Sequence, residues 1–134
     1  MKIDGGCHCG ELTFEAEIDP EMVTVCHCTD CQKMSGTAFR TVIRAAEENF
    51  SLLNGTPKTY VKTAESGAAR EMAFCANCGT QIYGTSVGAG PKIYGIRVGT
   101  IRQSHHIAPK QQIWTRSAQP WLSELDGLPK KELG

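Results

Sequence analysis

Seven cysteines in a chain of 134 residues fall into three tight clusters. Cys7 and Cys9 stand as C-x-C, Cys26, Cys28 and Cys31 as C-x-C-x-x-C, and Cys75 and Cys78 as C-x-x-C. Thiols at such spacings serve either redox disulfides or metal clips. An odd number excludes a complete disulfide framework within one chain, and local clusters in a reduced compartment favour metal binding. Zinc takes four ligands in a tetrahedron when structural, and three plus an open position when catalytic. Seven cysteines divide as four plus three. Joining Cys7/Cys9 to Cys75/Cys78 gives a closed four-thiolate site and leaves Cys26, Cys28 and Cys31 with an open fourth position. Pairing Cys7/Cys9 with two of the central three would strand Cys75/Cys78, and spacing alone favours neither strongly.

An open three-thiolate zinc suits a thiol substrate. Zinc holds a bound thiol as its thiolate and accepts soft sulfur well, which keeps the sulfur nucleophilic toward an electrophilic carbon at neutral pH. A blander arrangement uses the central cysteines only to stabilise a turn, with His27 or Asp30 as fourth ligand. Gln32, Lys33, Ser35 and Thr37 follow the last central cysteine and are candidates to line the site. Lys33 or Arg40 would pair with a substrate carboxylate, or else stand as solvated surface charges, and Ser35-Gly36 also reads as a plain turn. His8 and His27 lie between ligands, where side chains point away from the metal. Of the histidines, His27 is best placed for acid–base work, because an imidazole titrates near neutrality. Thr80 reads as a cap on the turn carrying Cys75 and Cys78. Phe39, Trp114 and Trp121 read as core or pocket wall.

The elements that must position these residues are short strands. Leu12, Phe14, Ala16 and Ile18 alternate with polar neighbours, the signature of a half-buried strand. Glycines around Cys7 and Cys9 permit the tight turn that C-x-C ligation needs. Further strands are predicted at residues 23–26, 38–44, 50–53, 58–63, 70–74, 80–85, 92–98 and 111–116, with a short helical turn at 45–49. Residues 119–121 and 126–129 read as irregular. No helical period is long enough to anchor a helical fold, so the class is all-β, built from small antiparallel sheets.

Bulk properties fit one domain over residues 1–134, with 40% hydrophobic and 21% charged residues. Fourteen basic and fourteen acidic residues cancel. That balance argues against a nucleic-acid binder and a polybasic membrane anchor. No secretory h-region and no membrane-length apolar run is present, so a cytoplasmic location is expected.

Three flanked motifs carry a resemblance: Gly6-Cys-His-Cys-Gly10, Cys26-His-Cys-x-x-Cys31-Gln-Lys-x-Ser-Gly36 and Phe74-Cys-x-x-Cys-Gly-Thr80. With Ile113-Trp114, Pro120-Trp121 and Asp126-Gly-Leu-Pro129, they resemble the glutathione-dependent formaldehyde-activating enzyme family, to which centromere protein V also belongs. The resemblance implies a β-tent fold related to zinc ribbons. It implies Cys7, Cys9, Cys75 and Cys78 as structural zinc ligands, and Cys26, Cys28 and Cys31 as ligands of a labile catalytic zinc. The implied activity is that of a carbon–sulfur lyase, forming S-hydroxymethylglutathione from glutathione and formaldehyde or handling a similar small-thiol adduct. The competing expectation is a non-catalytic zinc module that shapes a protein-interaction surface. Gln112 stands where many members carry histidine.

Overall fold

The computed structural model describes residues 1–134. Ten strands follow in chain order: β1 (Lys2–Gly6), β2 (Thr13–Glu17), β3 (Thr24–Cys26), β4 (Arg40–Ala46) and β5 (Phe50–Asn54), then β6 (Lys58–Thr63), β7 (Ala69–Phe74), β8 (Gln81–Ser86), β9 (Ile93–Arg97) and β10 (Gln111–Ile113). One short helix, α1 (Thr29–Ser35), separates β3 from β4, and the other helical segments are 3-10 turns. A three-stranded antiparallel sheet has the order β1-β2-β5, and a seven-stranded sheet the order β10-β3-β4-β9-β8-β7-β6. The chain is mostly β, as its short alternating segments predict. The larger sheet is not purely antiparallel, because β10 joins β3 in parallel.

Alternation along the strands separates two faces of the larger sheet. Ile43 and Ala45 of β4, Ile96 of β9, Tyr83 of β8 and Ala73 of β7 turn toward the small sheet. There they meet Ile3, Phe14 and Ala16 in one buried cluster. Phe50 of β5 bridges the two sheets, stacking on Tyr94 at 4.5 Å and meeting Tyr83 edge-on at 5.3 Å. Intervening residues, among them Arg40, Val42, Arg44, Gly95 and Arg97, line a cavity on the opposite face. Two ion pairs draw the far edge of the sheet over that cavity: Lys62 of β6 to Asp30 of α1 at 2.9 Å, and Glu65 beyond β6 to Arg116 beyond β10 at 2.5 Å.

Several predicted boundaries shift. The strand expected at 38–44 runs from Arg40 to Ala46, so the turn expected at 45–49 is confined to Glu47–Asn49. The strand expected at 111–116 ends at Ile113, because Trp114 takes a left-handed backbone (φ 57°) and Arg116 folds back over its ring at 5.0 Å. A 3-10 stretch, Pro120–Gly127, overlaps both segments read as irregular.

Gly5 fixes the approach of β1 to the rest of the fold. Its backbone bridges Ile101, and a Cβ there would sit 2.2 Å from the Thr100 carbonyl oxygen and 2.7 Å from Phe14 Cζ. Neither neighbour is a free side-chain end. Gly5→Ala is expected to cost about 2–3 kcal/mol, or roughly 10 °C in Tm by calorimetry. An unchanged Tm would mean that this strand is not held against residues 100–101.

Candidate metal centres and the cavity they face

The N-terminal pair sits on a turn leaving β1. The Cys7 N–H donates to the Leu12 carbonyl at 3.0 Å, the Gly10 N–H to the Cys7 carbonyl at 3.2 Å, and Gly10 takes φ 85°. The second pair lies on the β7–β8 turn, closed by Cys75 N–H to Thr80 O at 2.9 Å and Gly79 N–H to Cys75 O at 2.8 Å. Gly79 has φ 78°, the left-handed conformation expected for a glycine at this turn. The four sulfurs lie within 4.8 Å of one another, with Cys7–Cys9 at 3.5 Å and Cys9–Cys75 at 3.7 Å. A tetrahedron with zinc–sulfur bonds of about 2.3 Å has edges of about 3.8 Å. The donor set therefore fits a tetrahedral metal. Thr80 ties the turns together, its hydroxyl donating to Cys78 Sγ at 3.2 Å and accepting from the His8 N–H at 3.1 Å. Contact with Thr80 pulls the Cys78 thiol down to about 5, which favours the ligating thiolate.

The central trio also converges within 4.8 Å. Cys26 ends β3, Cys28 caps α1, and Cys31 lies in the first helical turn. Cys28 Sγ accepts the Cys31 backbone N–H at 3.1 Å, so a candidate ligand also serves as the helix cap. Contact with Cys26 and burial push the Cys31 thiol up, while contact with Cys31 pulls Cys26 down. A metal ion would take the place of the thiol protons. These three donors suit a metal, and the protein supplies three sulfurs rather than four.

The trio borders a cavity of about 630 Å³ formed by the outer face of the larger sheet. Arg40, Arg44, Arg70 and Arg97 line it together with Lys62, Met72, Ile113 and Trp114. Among the residues singled out from sequence, Arg40 and Trp114 are in this wall. Ser35 instead finishes α1, its hydroxyl donating to the Cys31 carbonyl at 2.6 Å. Lys33 lies on a separate shallow depression with Gln119 and Trp121. Sequence reading missed, among other wall residues, the arginines Arg44, Arg70 and Arg97. The period-two placement of Arg40, Val42 and Arg44 is the one available signal, since it puts two arginines on one strand face.

The family model for the glutathione-dependent formaldehyde-activating enzyme matches residues 2–117. The chain belongs to that family. It is also similar in structure to the crystal structure of a Rhodobacter sphaeroides protein, with TM-score 0.61 and 18% identity, over 81% of this chain and 98% of the other. That likeness concerns the fold alone. No helix of this family member is long and apolar enough to cross a membrane.

In this member of the formaldehyde-activating enzyme family, His27 is 2% exposed and is not among the residues lining the cavity. Its Nε2 meets Gln112 Oε1 at 2.7 Å, its ring stands edge-on to Phe39, and its Nδ1 has no partner. Gln112 thus holds the ring through β10. Gln32 of α1 adds a second tie: its Nε2 donates to the carbonyls of His27 and Ser117, both at 2.8 Å, and its Oε1 accepts from Gln119 at 2.8 Å. Side-chain amides therefore bind the segment after β10 to the loop that carries the three cysteines.

Proposed function

We propose that this family member is a zinc-dependent carbon–sulfur lyase-like enzyme acting on glutathione or a similar small-thiol adduct. Cys7, Cys9, Cys75 and Cys78 would hold a structural zinc, and Cys26, Cys28 and Cys31 a labile one. The observation that carries the reading is the convergence of only three sulfurs at the edge of a sizeable cavity, beside four sulfurs that close a site by themselves. When bound, zinc would supply stabilisation of a substrate thiolate. The addition forms one C–S bond between thiol and aldehyde, and the sulfhydryl proton ends on the former carbonyl oxygen. Arg40, in the wall, orients a substrate carboxylate. His27, held by Gln112 behind β3, positions the Cys26–Cys28 segment. The proton moves on the cavity side, away from the His27 ring.

The test is metal content of reduced protein before and after equilibration with millimolar glutathione, together with the rate of adduct formation from glutathione and formaldehyde. Two zincs per chain, one of them perturbed by thiol, with a rate above the buffer reaction, are expected. Two zincs indifferent to thiol, and no rate enhancement, would overturn the enzyme reading in favour of a protein-interaction module.

A further inference from the structure

Four arginines face the cavity, and none of them is in an ion pair. Six salt bridges tie the molecule together, and Arg40, Arg44, Arg70 and Arg97 take part in none of them. The wall's one acidic residue, Glu65, is held by Arg116, and Lys62 is held by Asp30. Two of the four arginines are buried: Arg40 is 6% exposed and Arg97 9%. Burying a charge without a counter-charge is costly, and here the hydrogen bonding is also incomplete. Arg40 Nη2 donates to Gln81 Oε1 at 3.1 Å, and Arg97 Nη1 to the Gly95 carbonyl at 2.9 Å. The Nε of each has no partner.

The sheet is shaped to admit this arrangement. Gly95 of β9 and Gly84 of β8 are register partners. A Cβ on Gly84 would come within 3.0 Å of Arg97 Nη2 and 2.9 Å of Met72 Sδ. The paired glycines leave a trough in which the Arg97 side chain lies, reaching Met72 Sδ of β7 at 3.4 Å. The guanidiniums also feel one another. Burial and then Arg40 work against the charge on Arg97, and burial and then Arg44 against that on Arg70.

The thiolates do not balance this charge. Three thiolates around a divalent metal carry a net charge of −1 (2 − 3), against +4 from the arginines. From this excess we infer that Arg40 and Arg97, backed by Arg44 and Arg70, form an anion subsite that takes a dianionic oxyacid group, either a phosphate or a pair of neighbouring carboxylates. Guanidinium forks match both groups bidentately. Placed on the cavity wall beside the three sulfurs, the subsite would select doubly acidic substrates over neutral or singly charged ones. It rests on the thiol-adduct reading only in so far as the group belongs to that substrate.

Calorimetric titration of the metal-loaded protein at fixed ionic strength tests the subsite without turnover, with inorganic phosphate, succinate and acetate as probes. Phosphate or succinate is expected to bind at least about tenfold more tightly than acetate, and the tighter of the two names the source of the dianion. Arg97→Gln should remove about tenfold or more of that affinity, and Arg97→Lys should restore part of it. If Arg97→Gln fails to fold, Arg44→Gln at the exposed rim should still reduce the dianion preference severalfold. Equal affinity for acetate and the dianions, or variants that bind dianions undiminished, would overturn the subsite. Cobalt-substituted protein separates this result from the thiol reading through its sulfur-to-metal charge-transfer band. Should 2-mercaptoethanol and mercaptosuccinate perturb that band at equal concentrations, the thiol reading stands and the subsite falls. Should phosphate or succinate bind while no thiol moves the band, the subsite stands and the thiol reading falls.

Discussion

Cys75→Ser is expected to leave the chain largely unfolded at ambient temperature. Cys75 is 1% exposed within the main core cluster and joins the β7–β8 turn to the turn after β1. Structural zinc in small domains contributes about 10–16 kcal/mol, while whole domains are stable by about 5–15 kcal/mol. Losing one of four thiolates weakens the metal enough to consume that margin. Serine also places a hydroxyl among apolar neighbours. Far-UV circular dichroism, a thermal scan and metal content together check the result. A cooperative unfolding transition at the native temperature would show that this cluster does not hold the fold together through a metal.

Cys31→Ser should have the opposite signature. The protein is expected to remain folded, because the four-thiolate site and the core between the sheets are untouched. It should carry one metal fewer and lose about a thousandfold in adduct-forming rate, since metal stabilisation of developing charge is worth several kcal/mol. Helix α1 should keep its start, because the backbone N–H of residue 31 still donates to Cys28 Sγ. A variant with native metal content and rate would remove the central trio from the mechanism.

The three cysteine motifs are legible in the sequence itself, because C-x-C and C-x-x-C place thiols on single turns. Their grouping into four and three comes from the family resemblance and from the fold that brings Cys7 and Cys9 to Cys75 and Cys78. The strand pattern is nearly as readable, and β6 runs over the predicted residues 58–63. Two elements escape for identifiable reasons. Lys2–Gly6 ends in two glycines and is not among the predicted strands; it is a strand because β2 pairs along its whole length. The helix Thr29–Ser35 is polar and only seven residues long, with one buried residue, Cys31. It exists because Cys28 caps its start and Gly36, at φ 71°, closes its end with an N–H bond to Gln32 O. The arginine trough is hidden more deeply. Its members come from β4, β7 and β9, and only the strand order, which no local pattern records, makes them neighbours.

The four-thiolate cluster also sets an order of events during synthesis. Cys9 and Cys75 are 66 residues apart, and a ribosome adds about 5–20 residues each second. For several seconds or more, the first pair must exist as free thiols, without the partners that complete its site. β1 can pair with β2 as soon as both have emerged, but its bridge to Ile101 forms only later. The nascent chain therefore passes through a stage in which Cys7 and Cys9 are open to oxidation and to stray metal ions. Its yield in the cell should depend on reducing conditions and metal supply during translation more than on either afterwards.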